Sequence, residues 1–195
     1  MAAPKTKTAA RPERETIKTE RLLLRPLTLA DASRASALCN DWDVARMVSS
    51  MPFPQPAISV EGFFLIEQAT RPLGRDHIFA IEHDRTGLIG MCGAHVRGRD
   101  YQGRAVEIGY WLGRQFWGQG YASEAATALA AYAAELGRGP VVAHHYADNP
   151  ASGRVLQKAG FAYTGQTATK FCLARNEPVL ALMMERCAAE GAKAA

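Results

Sequence analysis

Residues 107–125 read EIGYWLGRQFWGQGYASEA. The opening six residues belong to an apolar and aromatic run, Ala105–Leu112, that predicts a strand. Gly113, Gly118 and Gly120 then break the pattern, and an Ala-rich run from Tyr121 to Leu136 predicts a helix. Leu129, Tyr132, Ala133 and Leu136 share one face of it, and Gly137 is its stop. A strand, a glycine loop and a helix in that order leave unpaired N–H groups and the positive end of a helix dipole beside glycines that admit close approach. That geometry receives phosphate oxygens. Read alone, the same loop is also compatible with a plain connector.

The kind of phosphate can be narrowed. A P-loop needs Gly-Lys-Ser/Thr after its glycines, whereas Tyr121, Ala122 and Ser123 follow here. A dinucleotide fingerprint wants a third Gly or Ala where Ser123 stands and an acidic residue about 20 positions on, and the stretch from Gly139 to Tyr146 has none. What remains is a pyrophosphate carried by another ligand, such as coenzyme A.

Working outward, strands are predicted at 21–26, 77–82, 88–96, 141–146, 161–172 and 178–186. Helices are predicted from Thr28 to Cys39, from a Ser59 cap to about Pro72, and from Asn149 to Ala159 with Gly160 as its stop. The alternating prolines of Met51–Pro56 exclude regular helix there. Turn-prone 84–87 makes a hairpin of the second and third strands, and a polar break at 97–104 precedes Ala105. No internal repeat is present, and the pattern is that of one α+β domain over residues 17–186.

The 195 residues are 48% hydrophobic and 22% charged, the balance of a globular chain with a substantial core. No apolar run is long enough to span a bilayer, and the N-terminus lacks a secretory h-region, so membrane insertion and export are not expected. Of the formal +4 charge, +3 falls in residues 1–18, with five basic residues against two acidic ones. The basicity is therefore that of a tail, expected to be disordered over 1–16, with a second tail over 187–195. The nearly neutral remainder argues against a nucleic-acid partner. Cys39, Cys92, Cys172 and Cys187 are scattered, with neither a disulfide framework nor a metal set, which fits a reducing cytoplasm.

The quoted segment together with Asp148-Asn-Pro-Ala-Ser-Gly-Arg-Val-Leu-Gln-Lys-Ala-Gly-Phe161 resembles the GNAT superfamily of acyl-CoA-dependent N-acetyltransferases. Thr19-Glu-Arg-Leu-Leu-Leu-Arg-Pro26 and Pro52-Phe-Pro54 are similar to its group of ribosomal-protein N-terminal acetyltransferases. The resemblance implies a mixed, largely antiparallel sheet of about seven strands flanked by about four helices. It also implies acetyl-CoA as cosubstrate, no metal, and a small-molecule or protein α-amine acceptor, in a monomer or homodimer. Its Gln-x-x-Gly-x-Gly signature falls on Gln115, Gly118 and Gly120. Backbone amides across Gln115, Phe116, Trp117, Gly118, Gln119, Gly120, Tyr121 and Ala122, with Ser123 at the helix start, are thereby implied to hold the pyrophosphate.

Acyl transfer from a thioester needs a neutral amine and a proton for the departing thiolate. Glu107 is a carboxylate on a strand, sharing a face with small Ala105 and Gly109, and partial burial is expected to raise its pKa toward that of a useful base. Its other reading is a solvated or ion-paired strand glutamate. Asn149 and Ser152 read as capping residues of the helix after Asn-Pro. The resemblance gives Asn149 a contact to the coenzyme A arm and makes Ser152 a proton donor to the thiolate. Many superfamily members place a tyrosine acid seven residues after that Asn; here the position is Leu156, so no tyrosine on this helix can act.

Adjacent His144 and His145 point to opposite faces of a strand, and one of them is a candidate auxiliary base. Arg154 and Lys158 read as a solvated face, Trp111 and Trp117 as packing aromatics. Trp42 and Phe53 are placed by region at the acceptor pocket. Direct transfer in a ternary complex is expected. The alternative is a catalytically silent acyl-CoA-binding regulatory module, against which Glu107 and Ser152 speak.

Overall fold

The computed structural model describes residues 16–97 and 105–187, so all but one residue of each expected tail, 1–16 and 187–195, and most of the 97–104 break lie outside the described residues. Eight strands form one sheet. They are β1 (Ile17–Lys18), β2 (Leu22–Arg25), β3 (Asp76–His83), β4 (Gly87–Arg97), β5 (Ala105–Leu112), β6 (Val141–Tyr146), β7 (Phe161–Cys172) and β8 (Glu177–Arg186), in the order β1-β2-β3-β4-β5-β6-β8-β7. The helices are α1 (Ala32–Cys39), α2 (Trp42–Ala45), α3 (Ala57–Thr70), α4 (Tyr121–Glu135) and α5 (Pro150–Lys158).

The expected α+β sheet is thus one strand larger, and the helix set one larger, than the count from sequence. Two-residue β1 and four-residue α2 are too short to show a period. Helix α3 starts two residues before Ser59, with Pro56 as its extended N-cap residue, because φ near −68° at Pro56 suits a helix entrance. Ser59 therefore sits in its first turn and caps nothing.

Strand alternation divides the core. Leu22, Leu24, Phe79, Ile81, Ile89, Val106 and Ile108 pack on Ala125, Ala126, Leu129, Ala130 and Ala133 of α4 and Leu156 of α5. The small alanines let that helix lie close to the sheet. On the opposite face Ala80, Leu88 and Met91 meet Ala32, Ala35 and Leu38 of α1 and Val60 and Phe64 of α3.

All neighbouring strands are antiparallel except β5 and β6, which pair in parallel only at Val106↔Val141 and Glu107↔Val142. Beyond Glu107 the two strands separate, so the sheet opens at its middle and the β6-facing edge of β5 is left unpaired. The long connection between them is the glycine loop and α4, as a parallel pair requires.

Candidate active site

A cavity of about 480 Å³ occupies this opening. Cross-strand neighbours Met91↔Trp111, Gly93↔Gly109 and His95↔Glu107 build its floor, and α1 and α3 cover it with Ala35, Cys39, Val60, Phe63 and Phe64. Tyr110, which points to the other face of β5, lines it too, with Asn149 and Ser152 of α5. The cavity therefore runs through the sheet from the α1/α3 side to the start of α5.

Glu107 is buried at the last position where β5 pairs with β6. Its Oε1 accepts from His144 Nδ1 (2.6 Å) and its Oε2 from Arg97 Nε (2.9 Å). Both partners come from adjacent strands two residues along the shared face, β6 on one side and β4 on the other. Burial alone would raise this carboxyl, as the sequence reasoning expected. The hydrogen bond and charge of His144, reinforced by Arg97, outweigh it and hold the group down at about 2. Glu107 is thus a persistent anion and a weak base, and the group beside it that can take a proton is the His144 imidazole. Nε2 of His144 makes no hydrogen bond among the described residues, and both side chains line the cavity.

His145, on the other face as alternation required, donates from Nδ1 to the Tyr146 carbonyl (2.8 Å). Its Nε2 therefore accepts from the Tyr163 hydroxyl (2.9 Å). Gly153 of α5 leaves room for that pair: a Cβ there would lie 2.4 Å from the Tyr163 hydroxyl.

At the start of α5, Asn149 Oδ1 accepts the Ser152 N–H (3.2 Å), so Asn149 is the cap and Pro150 follows at the position where no N–H is needed. The Ser152 hydroxyl satisfies no backbone group of its turn. It meets the Tyr110 hydroxyl at 2.9 Å, and Tyr110 also donates to the Ser152 carbonyl (3.2 Å). Burial, against the opposing hydrogen bond with Ser152, pushes the Tyr110 phenol well above its ordinary value, so it stays protonated as a donor. A tyrosine thus reaches this helix start from β5, while Leu156 is buried in the core. Sequence reasoning missed Tyr110, whose neighbours Ile108 and Leu112 make it read as one more apolar strand residue.

The glycine loop begins with one 3-10 turn, Arg114–Phe116, in which Phe116 N–H donates to Gly113 O (2.9 Å) and Trp117 N–H to Arg114 O (3.1 Å). Of the set expected from Gln115 onward, these two amides are engaged within the turn. The open run is Gly118, Gln119, Gly120, Tyr121, Ala122 and Ser123, whose N–H groups find no acceptor among the described residues. Gly118 (φ 74°) and Gly120 (φ 84°) adopt the left-handed conformation that turns these amides outward, and Gly120 is an N-cap residue with no side chain to block them.

Gln115 and Trp117 are exposed around the loop: Gln119 Nε2 donates to the Gln115 carbonyl (2.9 Å), and Trp117 Nε1 to the Leu112 carbonyl (2.9 Å). Arg21 is a further residue missed from sequence. Its Nη1 donates to the Gln119 carbonyl (3.1 Å) and its Nε to Glu124 Oε2 (2.8 Å), and its guanidinium lies over the Tyr121 ring (4.6 Å). The Thr19-to-Pro26 motif was its only signal.

The remaining expectations divide. Arg154 and Lys158 are exposed on α5, and Trp111 is a half-buried packing aromatic. Trp42 and Phe53 stack edge-on (5.4 Å) outside the cavity lining. Met51 and Pro52 from the same region line it instead.

The acetyltransferase (GNAT) domain model matches residues 21–162. The chain is 32% identical over 154 residues to the uncharacterized N-acetyltransferase YoaA of Bacillus subtilis (strain 168), covering 76% of this chain and 84% of that protein. It is 34% identical over 118 residues to the uncharacterized N-acetyltransferase p20 of Bacillus licheniformis, covering 60% of this chain and 65% of that one. Among solved structures, the microcin C7 self-immunity acetyltransferase MccE in complex with acetyl-CoA and AMP superposes with a TM-score of 0.74 at 18% identity, over 87% of this chain and 94% of that chain. RimL, a ribosomal L7/L12 alpha-N-protein acetyltransferase in complex with coenzyme A, gives 0.74 at 19% identity, over 88% and 97%.

Proposed function

This chain belongs to the acetyltransferase (GNAT) domain family and is an N-acetyltransferase, and we propose that it carries out direct acetyl transfer to a primary amine in a ternary complex. The observation that carries this reading is that the Glu107–His144 pair and the Tyr110–Ser152 pair line one cavity at the opening between β5 and β6.

Acetyl-CoA, when bound, supplies the acyl group as an activated thioester. The fit of this chain to it rests on the open amides from Gly118 to Ser123, which match a pyrophosphate, and on the free edge of β5, which an extended arm bearing amides can pair with. Open space beside Gly109, where a Cβ would meet nothing within 4 Å, leaves room at the same edge.

His144 takes the ammonium proton of the acceptor at Nε2, directly or through one water. Glu107 fixes the ring by accepting from Nδ1 and stabilises the imidazolium that forms. Ser152 donates a hydrogen bond from its hydroxyl to the departing thiolate, which takes its proton from solvent, with Tyr110 hydrogen-bonded to the serine oxygen. A covalent acyl-cysteine step is disfavoured, because burial pushes the Cys39 thiol, against a weaker backbone hydrogen bond, up to about 11 and Cys92 higher still.

Either Glu107→Gln or His144→Gln is expected to lower kcat by something on the order of 100-fold with coenzyme A affinity kept. Both losses are measured by thiol release from acetyl-CoA. A Glu107→Gln loss with an indifferent His144→Gln would make Glu107 the direct base. Full activity in both would remove this site. Solved relatives of the fold include one enzyme acting on a protein α-amine and one holding AMP, so the fold does not choose the acceptor.

A further inference from the structure

The acceptor side of the cavity has a one-sided chemistry. Its roof and floor are apolar: Val60, Phe63 and Phe64 from α3 face Ile78, Met91 and Trp111 of the sheet. Among the described residues that line it, Glu107 is the only carboxylate, and both of its oxygens are taken, by His144 and Arg97. The basic groups of the lining are Arg97 and the imidazoles of His95, His144 and His145, and burial keeps its phenols and thiols, Tyr110, Tyr146, Cys39 and Cys92, uncharged. His95 is itself held by Asp76, whose carboxylate accepts from Nδ1 (2.6 Å) and does not line the space. Uncharged polar side chains come from two places: Ser49, Ser50, Gln55 and Ser59 from the approach to α3 and its first turn, and Asn149 and Ser152 from the start of α5.

A ligand bearing several ammonium groups would find no free carboxylate for the second and third charge, and a desolvated ammonium without a partner is costly. A ligand with one amine and an apolar body finds a surface for each part. Building on the transfer reading above, we propose that the acceptor is a primary monoamine carried on an aromatic or branched aliphatic body. Polycations of the polyamine and aminoglycoside classes are excluded as good substrates. Phe63 is the specificity-determining residue: it lines the cavity and is still 41% exposed, a wall waiting for an apolar partner. The same chemistry is offered by a free aralkylamine or by a peptide whose first residue is apolar.

The test is a calorimetric titration of the full chain saturated with coenzyme A, using 2-phenylethylamine, the tripeptide amide Phe-Gly-Gly, spermidine and kanamycin. The apolar monoamines are expected to bind at least ~10-fold more tightly than either polycation, and Phe63→Ala to weaken them by about tenfold. The tighter of the two apolar ligands identifies the source, free amine or chain terminus. Ser59→Glu, at an exposed position of the lining, should improve spermidine binding, because it supplies the missing carboxylate. Polycations that bind as well as the apolar amines, or a Phe63→Ala variant with unchanged affinities, would overturn the proposal. Thiol release from acetyl-CoA with the same amines reads the transfer separately. An apolar amine that binds at Phe63 without releasing thiol would sink the transfer reading alone, whereas fastest turnover of spermidine or kanamycin would sink only the acceptor class.

Discussion

The two helices that begin at the sheet opening start in opposite ways. Helix α4 enters through Gly120 at φ 84° with no side-chain cap, and leaves its first amides open. Helix α5 enters through Asn149, which accepts the Ser152 N–H, and Pro150, which has no N–H to satisfy. An uncapped start normally forfeits about 1 kcal/mol. That loss persists at α4, where the bare amides are the surface proposed to receive the pyrophosphate. At α5 Pro150 brings no N–H and Asn149 takes that of Ser152, while the side chains of Ser152 and, across from it, Tyr110 line the cavity. In the proposed reaction one start binds with backbone and the other acts with side chains.

The sharpest way to break this contrast is to give α4 the side chain it lacks. Gly120→Asp adds a Cβ at a left-handed φ, 3.3 Å from Arg21 Nη2, and a negative charge where phosphate oxygens are proposed to sit. Coenzyme A affinity in calorimetry should fall at least ~30-fold, about 2 kcal/mol. An unchanged affinity in a folded variant would remove the pyrophosphate from this loop.

At α5 the corresponding change is Ser152→Ala, which leaves the Asn149 cap intact because the cap uses the Ser152 backbone N–H. Turnover is expected to fall about tenfold, and most for donors with poorer thiol leaving groups. A leaving-group dependence identical to that of the parent enzyme would reduce Ser152 to a partner for Tyr110. Asn149→Ala removes the cap itself and should cost about 1 kcal/mol of stability in a urea titration, with coenzyme A affinity changed much less than in Gly120→Asp. A large loss of affinity there would make Asn149 part of the binding surface.

The smallest effect concerns pH. The Glu107 carboxyl falls from 4.5 to about 2 on folding. The unfolded chain therefore takes up this proton first, so the stability that Glu107 contributes is present above about pH 4.5 and is lost as pH falls through about 2. The stability difference between the parent and Glu107→Gln should shrink across that window. A difference that is constant from pH 6 to 2 would contradict the ion-paired state.

The sequence and the structure agree best where signals are local. The strand, loop and helix of residues 105–136 appear in the structure with boundaries shifted by at most one residue, because the apolar run, the glycines and the alanines each speak for themselves. The site was legible only in part, since its partnerships are set by register. Alternation separates His144 from His145, yet which of them faces Glu107 depends on the pairing Glu107↔Val142, and no local pattern encodes that. The depressed Glu107 carboxyl follows from the same pairing and from Arg97 on β4. Tyr110 escaped for a related reason: its hydroxyl gains a meaning only once α5 lies across β5. Arg21 stands about a hundred residues from the loop it braces.

The division of labour between the α4 start and the β5–β6 opening is tested most directly by measuring coenzyme A affinity and kcat on the same two variants. Gly120→Asp should lose affinity and regain most of its turnover at saturating acetyl-CoA, while Glu107→Gln should keep its affinity and lose turnover on the order of 100-fold. Affinity and turnover that fall together in both variants would contradict the separation of a binding backbone at α4 from reacting side chains at the β5–β6 opening.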